Sequence, residues 1–317
     1  MKSRISAILI TASLSTAVLA CGEDAAQLEL RIAAASSIHL VNYLGNSQNI
    51  HPKVLYFPDG WCGYNFWMAY TPYPEGKTDC ENPCIAVSDD GISWDAPLGL
   101  QNPLATAPKG GYNSDTHLVF NDTEGSLECW WRVYDIKTKT DRIVRRISTD
   151  GFTWSDTEEV MPPSQVHNRL SPAIVIRDGH YVMLYSDGAR MFLCNSTVEA
   201  PGIAWDEPVR VDCNYDGLNV WHQDFIMRDD NRATVVACCY GNGGNNNTAD
   251  LYQLELNLDN ATATTPQLLM ARGKSPQSIT FRSIYRSSIV KVNGTDYLYY
   301  SSIDRDWHRH LDLIIPF

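Results

Sequence analysis

Two short stretches carry an acid and an imidazole two residues apart: Asp115-Thr116-His117 and His222-Gln223-Asp224. In an extended strand such residues share a face, so each stretch presents a carboxylate beside a ring nitrogen. Such pairs can run general acid–base chemistry, with the imidazole moving protons or tuning its neighbour. They can also ligate a metal. His51, Arg169, Ser171 and Arg286 open three further stretches, and the arginines suit bidentate recognition of a carboxylate. Any one of these side chains, taken alone, reads as a buried polar contact. The set reads differently, because burying so many ionisable groups together is costly unless a ligand, water or metal satisfies them.

What must position them is a repeated strand. Segments opening near His51, Asn113, Arg169, Trp221 and Tyr285 each run from a polar cluster into an apolar, aromatic-rich stretch. They start roughly 50–65 residues apart, the spacing of β-propeller blades, whose inner strands converge on one axis. The expected fold is all-β, a five-bladed β-propeller with one central pocket. Helical periodicity is scarce, whereas short runs such as Tyr297-Leu298-Tyr299-Tyr300 suit strands. Ser88-Asp89-Asp90-Gly91-Ile92-Ser93-Trp94 and Ser148-Thr149-Asp150-Gly151-Phe152-Thr153-Trp154 repeat one turn, with a degraded copy ending at Trp205. Asp-Gly supplies the positive φ of a tight hairpin, and the Trp can pack between sheets. These turns are expected to staple blades together, with no catalytic role for Asp90 or Asp150.

Lys2 and Arg4 precede an apolar stretch, Ile5 to Val18, too short to span a bilayer and typical of a secretory signal. Val18-Leu19-Ala20-Cys21 resembles a bacterial lipobox, and Gly22-Glu23-Asp24 looks like the surface-export signal of Bacteroidetes lipoproteins. The expected organisation is a signal peptide over 1–20, a lipid-anchored segment with a first strand over 21–45, and the propeller over 46–317. Lipidation at Cys21 would tether the protein to the outer membrane, on its cell surface or periplasmic side. The net charge of −12, without a basic patch, argues against nucleic acid and against anionic membrane surfaces, leaving the lipid as the membrane contact. Of the remaining cysteines, Cys80 and Cys84 are close enough to pair, Cys238 and Cys239 should face opposite ways, and no spacing fits a zinc motif. Asn242 to Asn247 reads as an exposed loop in blade four.

The turns, spacing and strand openings together resemble the five-bladed propeller glycosidases, the superfamily of glycoside hydrolase families 43, 62, 32, 117 and 130. The resemblance covers essentially the whole chain after the signal. It implies an Asp opening blade one, a second Asp in a following blade and a Glu in a third. Asp115 matches the second Asp, but His51-Pro52 stands in place of Asp-Pro, and Leu170-Ser171-Pro172 in place of Glu-x-Pro. Glycoside hydrolysis normally needs two carboxyl groups. The substitutes are Asp115, Asp224 and Glu81, then Glu128, for which an ion pair with Arg132 is an equal alternative. A histidine acts as acid in family 117, which adds His51, His117 and His222. Asp115 or Asp224 is expected as base or nucleophile beside its histidine. His51, Arg169, Arg286, Tyr112, Trp221 and Tyr285 are expected to bind substrate, and most other aromatics to fill the core. No cofactor is required; a calcium on the axis, as in some family 43 enzymes, is the option, with no metal ligands assigned. The implied function is glycoside hydrolysis of an oligo- or polysaccharide. Its rivals are a non-catalytic glycan-binding surface lipoprotein and a lyase or phosphorylase using the same pocket.

Overall fold

Each of the five polar-to-apolar segments is the innermost strand of its own antiparallel sheet: Asn49–Trp61, Gly111–Asn121, Leu170–Arg177, Leu218–Met227 and Phe281–Val292. The structure is a computed structural model describing residues 35–164, 168–197, 201–273 and 281–315. Successive strands step outward from the axis, so that in blade two Gly111–Asn121, Ser126–Asp135, Thr140–Ser148 and Glu158–Ser164 pair in chain order. The sheets form a five-bladed β-propeller. Ala35–Ser37 closes the ring by pairing with Arg309–Ile314, the third strand of blade five. The leader and Cys21 lie outside the described residues. Among those described, no helix is long and apolar enough to cross a membrane.

Alternation along each strand sends apolar side chains to both faces of its sheet, so the core is divided among the seams between blades. Val54, Phe66 and Met68 meet Tyr299 and Leu313 between blades one and five. Trp67 and Ile85 meet Leu118 and Trp131 between one and two. Similar clusters fill the remaining seams. Cys239 lies in one cluster and Cys238 in another, the opposite-face arrangement expected of neighbours in a strand. The eight described cysteines are all free thiols, so Cys80 and Cys84 form no bridge.

The repeated turns fasten these seams. Asp150 Oδ1 accepts the backbone N–H groups of Phe152 and Thr153 at 2.8 and 2.7 Å, and Asp90 Oδ1 those of Ile92 and Ser93, both at 2.7 Å. Gly151 has φ 78°, and a Cβ there would stand 2.1 Å from the Trp67 ring of blade one. Gly91 sits in the same way under Tyr299 of blade five. Trp94 wedges between Phe66 and Tyr299. Before Trp205, Gly202 has φ 75° and lies against the Tyr181 ring, and the indole donates to Val160 O at 2.9 Å.

Candidate active site

The polar end of every inner strand is irregular at the same level. Pairing with the second strand slips between Ile50 and Lys53, Ser114 and His117, Leu170 and Ala173, Val220 and His222, and Ile284 and Arg286. His51, Asp115 and Ser171 adopt φ values of 56°, 56° and 50° there. Left-handed backbone at non-glycine residues costs of order 1–3 kcal/mol each and persists where the surroundings enforce it. Such bulges re-aim a side chain. Here they turn groups from separate blades toward one point.

That point is Asp115. His51 Nε2 lies 3.4 Å from its Oδ1 and His222 Nδ1 lies 3.3 Å from the same oxygen. The Ser171 hydroxyl stands 2.5 Å from His222 Nδ1 and 3.4 Å from Asp115 Oδ1. Arg286 and Arg132 approach the carboxylate at 3.7 and 3.8 Å. All are buried, Asp115 with 2% of its surface exposed. Burial alone would raise the Asp115 pKa, but His51, His222, Arg132 and Arg286 together outweigh it and hold the carboxyl well below its usual range. Desolvation pushes His51 down to about 3 against the pull of Asp115, and holds His222 well below its ordinary value. Both imidazoles are therefore neutral at neutral pH, the state a metal ligand needs.

Ligand atoms of His51, Asp115 and His222 all fall within 4.8 Å of one another. A ring nitrogen and a carboxylate oxygen bound to one tetrahedral ion, each by a bond of about 2.0–2.1 Å, stand about 3.3 Å apart. The two His–Asp pairs already have that spacing. Of the two nitrogens at that spacing, His51 Nε2 has no hydrogen-bond partner, whereas His222 Nδ1 is held by the Ser171 hydroxyl and its Nε2 is the unpartnered one. His51 Nδ1 lies 2.9 Å from Thr71 Oγ1 and 3.2 Å from the Asp115 backbone N. Nδ1 accepts the Asp115 backbone N–H, and these contacts fix the ring with Nε2 turned toward the Asp115 carboxylate. Two imidazoles and one carboxylate suit a zinc-like transition ion better than calcium, which takes six to eight oxygens.

Above this triad opens a cavity of about 300 Å3 lined by His51, Glu81, Tyr112, Asp115, Trp221, His222 and Tyr285 among others. Glu81 follows the 3-10 turn Thr78–Cys80 and is buried. Desolvation first, and then the Asp115 charge, raises its pKa well above the usual carboxylate value. The Tyr285 ring stands 4.8 Å from His222 and 5.6 Å from His51, and burial keeps its phenol protonated far above neutrality.

Five of the expected site residues do not line this cavity. Asp224 accepts two hydrogen bonds from Lys53, at 2.8 and 2.9 Å, and one from Ile289 N–H at 3.0 Å, which ties blade four to blades one and five. His117 Nε2 accepts the Ile174 N–H at 2.9 Å, joining blade two to blade three. Arg169 is held by Asp141, through Nε–Oδ1 at 2.9 Å, and by Pro162 O at 2.7 Å. Arg286 is fully buried, with Nη1 3.7 Å from Asp115 Oδ1, and is not among the residues lining the cavity. Glu128 pairs with Arg145 and the Tyr181 hydroxyl, and Arg132 pairs instead with Asp141 at 3.1 Å. Beyond the sequence expectations the cavity gains Tyr73, Thr78, Arg132, Tyr134, Asn168 and Asn246. Asn246 belongs to the Asn242–Asn247 run, whose biased composition signalled a loop but not its reach into the pocket.

No protein-family model matches the chain. Its sequence is 27% identical, over 96% of its length, to the A type blood N-acetyl-alpha-D-galactosamine deacetylase of Flavonifractor plautii. The match takes in 47% of that protein, so the chain spans about half the length of this curated relative. A crystal structure of an N-acetylgalactosamine deacetylase from F. plautii, in complex with blood group B trisaccharide, superposes with a TM-score of 0.75 at 23% identity, covering 88% of this chain and 93% of that one. A thermostable family-43 glycoside hydrolase gives a TM-score of 0.61 at 10% identity over 88% and 92% of the two chains. The native arabinanase of Bacillus subtilis gives 0.58 at 12% identity over 87% and 94%. At such identities the likeness is one of fold, and the chain shares its five-bladed propeller with a carbohydrate deacetylase and with family-43 glycoside hydrolases.

Proposed function

We propose that the protein is a metal-dependent carbohydrate deacetylase that hydrolyses the N-acetyl group of an amino sugar. The observation that carries this reading is the convergence of His51, Asp115 and His222, from three blades, at ligand spacing under an open pocket. The relative named as an N-acetylgalactosamine deacetylase supports the choice of reaction. A divalent ion held by the triad would polarise the amide carbonyl and acidify a bound water. Glu81 takes a proton from the attacking water and passes it to the amine nitrogen as the C–N bond breaks, leaving acetate and the free amino sugar. Its raised pKa suits the second half of that transfer, donation to the leaving nitrogen. Tyr285, held protonated, donates its hydroxyl to the carbonyl oxygen as that oxygen gains charge. Tyr112 and Trp221 offer ring faces to the sugar. The lipid-anchored location at the outer membrane is part of the same proposal and rests on the sequence around Cys21.

Glycoside hydrolysis is the second reading, favoured by the presence of two carboxyl groups, Asp115 and Glu81, in one cavity. One experiment separates the two. Chelator-treated protein, alone and refilled with zinc, is incubated with N-acetylgalactosamine-terminated glycans, and free acetate and product mass are followed. Zinc-dependent acetate with the glycan chain intact is the expected result. Shortened glycans without acetate, indifferent to chelation, would transfer the assignment to hydrolysis.

A further inference from the structure

Leu170 is the one aliphatic side chain among the described residues that line the cavity above the triad; the others are aromatic or polar. It is buried, and it precedes Ser171, whose hydroxyl stands 2.5 Å from His222 Nδ1. An aliphatic group set among polar ones makes no hydrogen bond, so it favours an apolar part of the ligand over a polar one. The amide read above as the substrate offers such a part beside the reacting carbon, its acyl chain.

The order of the blades says where that chain points. Glu81 stands at the seam of blades one and two, where its neighbour Asn82 accepts a hydrogen bond from Asn113 Nδ2 at 3.0 Å. Tyr285 comes from blade five and Leu170 from blade three. With the amide nitrogen toward Glu81 and the carbonyl oxygen toward Tyr285, the third substituent of the carbonyl carbon turns to blades three and four, where Leu170 stands. The wall there is backed. Leu170 Cδ1 and the Trp221 ring edge both lie against Gly188, at 3.6 and 3.5 Å from where its Cβ would be. Gly188 O accepts from the Tyr240 hydroxyl at 3.0 Å, and Gln223 Nε2 donates to Ser171 O at 2.7 Å, so blade four is tied to blade three around Leu170. Added methylenes would meet close-packed atoms that cannot move aside without cost.

We propose that Leu170 is the stop at the end of an acyl pocket and confines the reaction to short acyl groups, acetyl over propionyl and butyryl. The proposal rests on the deacetylase reading of this cavity and adds to it the residue that measures the acyl chain. It is tested with the methyl glycosides of N-acetyl-, N-propionyl- and N-butyrylgalactosamine, following the amine that all three would release. Zinc-refilled wild type, Leu170→Val and Leu170→Ala are compared, the valine variant removing a single methylene and serving alone if the alanine variant does not fold. Wild type should lose about tenfold or more in kcat/KM with each added methylene. Leu170→Val should recover the propionyl substrate and Leu170→Ala the butyryl one, each to within about tenfold of acetyl. Equal rates on all three substrates in wild type, or a preference that neither variant changes, would overturn it. Should wild type release no amine from any of them, the deacetylase reading fails by itself. Calorimetric binding of the three glycosides then decides the pocket: a preference for acetyl in wild type that the Leu170 variants abolish keeps it, and equal or absent binding removes it.

Discussion

Asp115 and Asp224 are both buried aspartates of inner strands, each two residues from a histidine, and the propeller uses them in opposite ways. Asp115 sits on a bulge at the pocket end, with φ 56°, and shares one oxygen between two imidazoles. Asp224 lies further along its strand, where pairing is regular, and both its oxygens are taken by Lys53 while Ile289 N–H adds a third bond. One carboxylate is held by groups that could each give way to a ligand; the other is closed by a lysine and a backbone amide. The same division separates His222, whose Nδ1 faces Asp115 at 3.3 Å, from His117, whose Nε2 accepts the Ile174 N–H of the next blade. Chemistry in this fold is set by depth along the axis more than by residue type.

The largest expected effect breaks the Asp115 side of this contrast. Asp115→Asn removes the anion that two imidazoles and two guanidiniums face. Metal content and acetate release should both fall by more than the roughly 10–100-fold that loss of an outer partner costs. Stoichiometric metal with full activity in this variant would mean that the triad is not the site. The other side is broken by Lys53→Met, which leaves Asp224 buried without its cation. That should destabilise the fold by about 3–5 kcal/mol in denaturant titration, with turnover per folded molecule kept. A loss of turnover that exceeds the loss of folded protein would place Asp224 back in the catalytic machinery.

The sequence made the inner strands legible because each opens with polar residues that a sheet interior would not otherwise tolerate and continues into a run that it would. The staple turns were legible because Ser-x-Asp-Gly fixes its own hydrogen bonds within six residues. What the period-two rule could not resolve was which member of Asp-x-His looks into the pocket, since the bulges at Ser114–His117 and Val220–His222 break the alternation on which the rule depends. Arg132 was hidden for another reason: its partner Asp141 lies on the adjoining strand, and its closeness follows from sheet register. Tyr73, Thr78 and Asn246 arrive on loops, whose path no strand periodicity dictates. Arg169 and Arg286 have the chemistry to bind a carboxylate, but each is committed to a carboxylate of the protein itself.

Asp312 sharpens the contrast as a third buried aspartate, this time with no cationic partner as close. It lies on the closing seam, where the Ser37 hydroxyl of the N-terminal strand donates to it at 3.2 Å. Desolvation, only partly offset by Ser37 and His310, raises its pKa to about 6. A carboxyl whose folded pKa lies above its unfolded value of about 3.9 stabilises the fold fully below that value. That contribution is lost as pH rises through about 6. Asp312→Asn should therefore raise the melting temperature at pH 7.5, by the equivalent of about 1–3 kcal/mol, and leave it nearly unchanged at pH 4. A variant less stable than wild type at pH 7.5 would show that the charged form is better held than the seam suggests.

The smallest effect belongs to the aspartates that wear a motif without doing chemistry. Asp150 is half-buried on its turn, where two backbone N–H groups and the Ser148 hydroxyl hold its pKa down to about 2. Asp150→Ala should cost about 1 kcal/mol in stability, the scale of a lost turn or cap bond, because the amides it leaves can turn to water. Acetate release should not change. Asp115 and Asp150 then bracket what an aspartate contributes in this fold. If Asp150→Ala lowered activity in proportion to Asp115→Asn, the blade-one seam under Trp67 would be transmitting strain to the pocket, and depth along the axis would no longer separate scaffold from site.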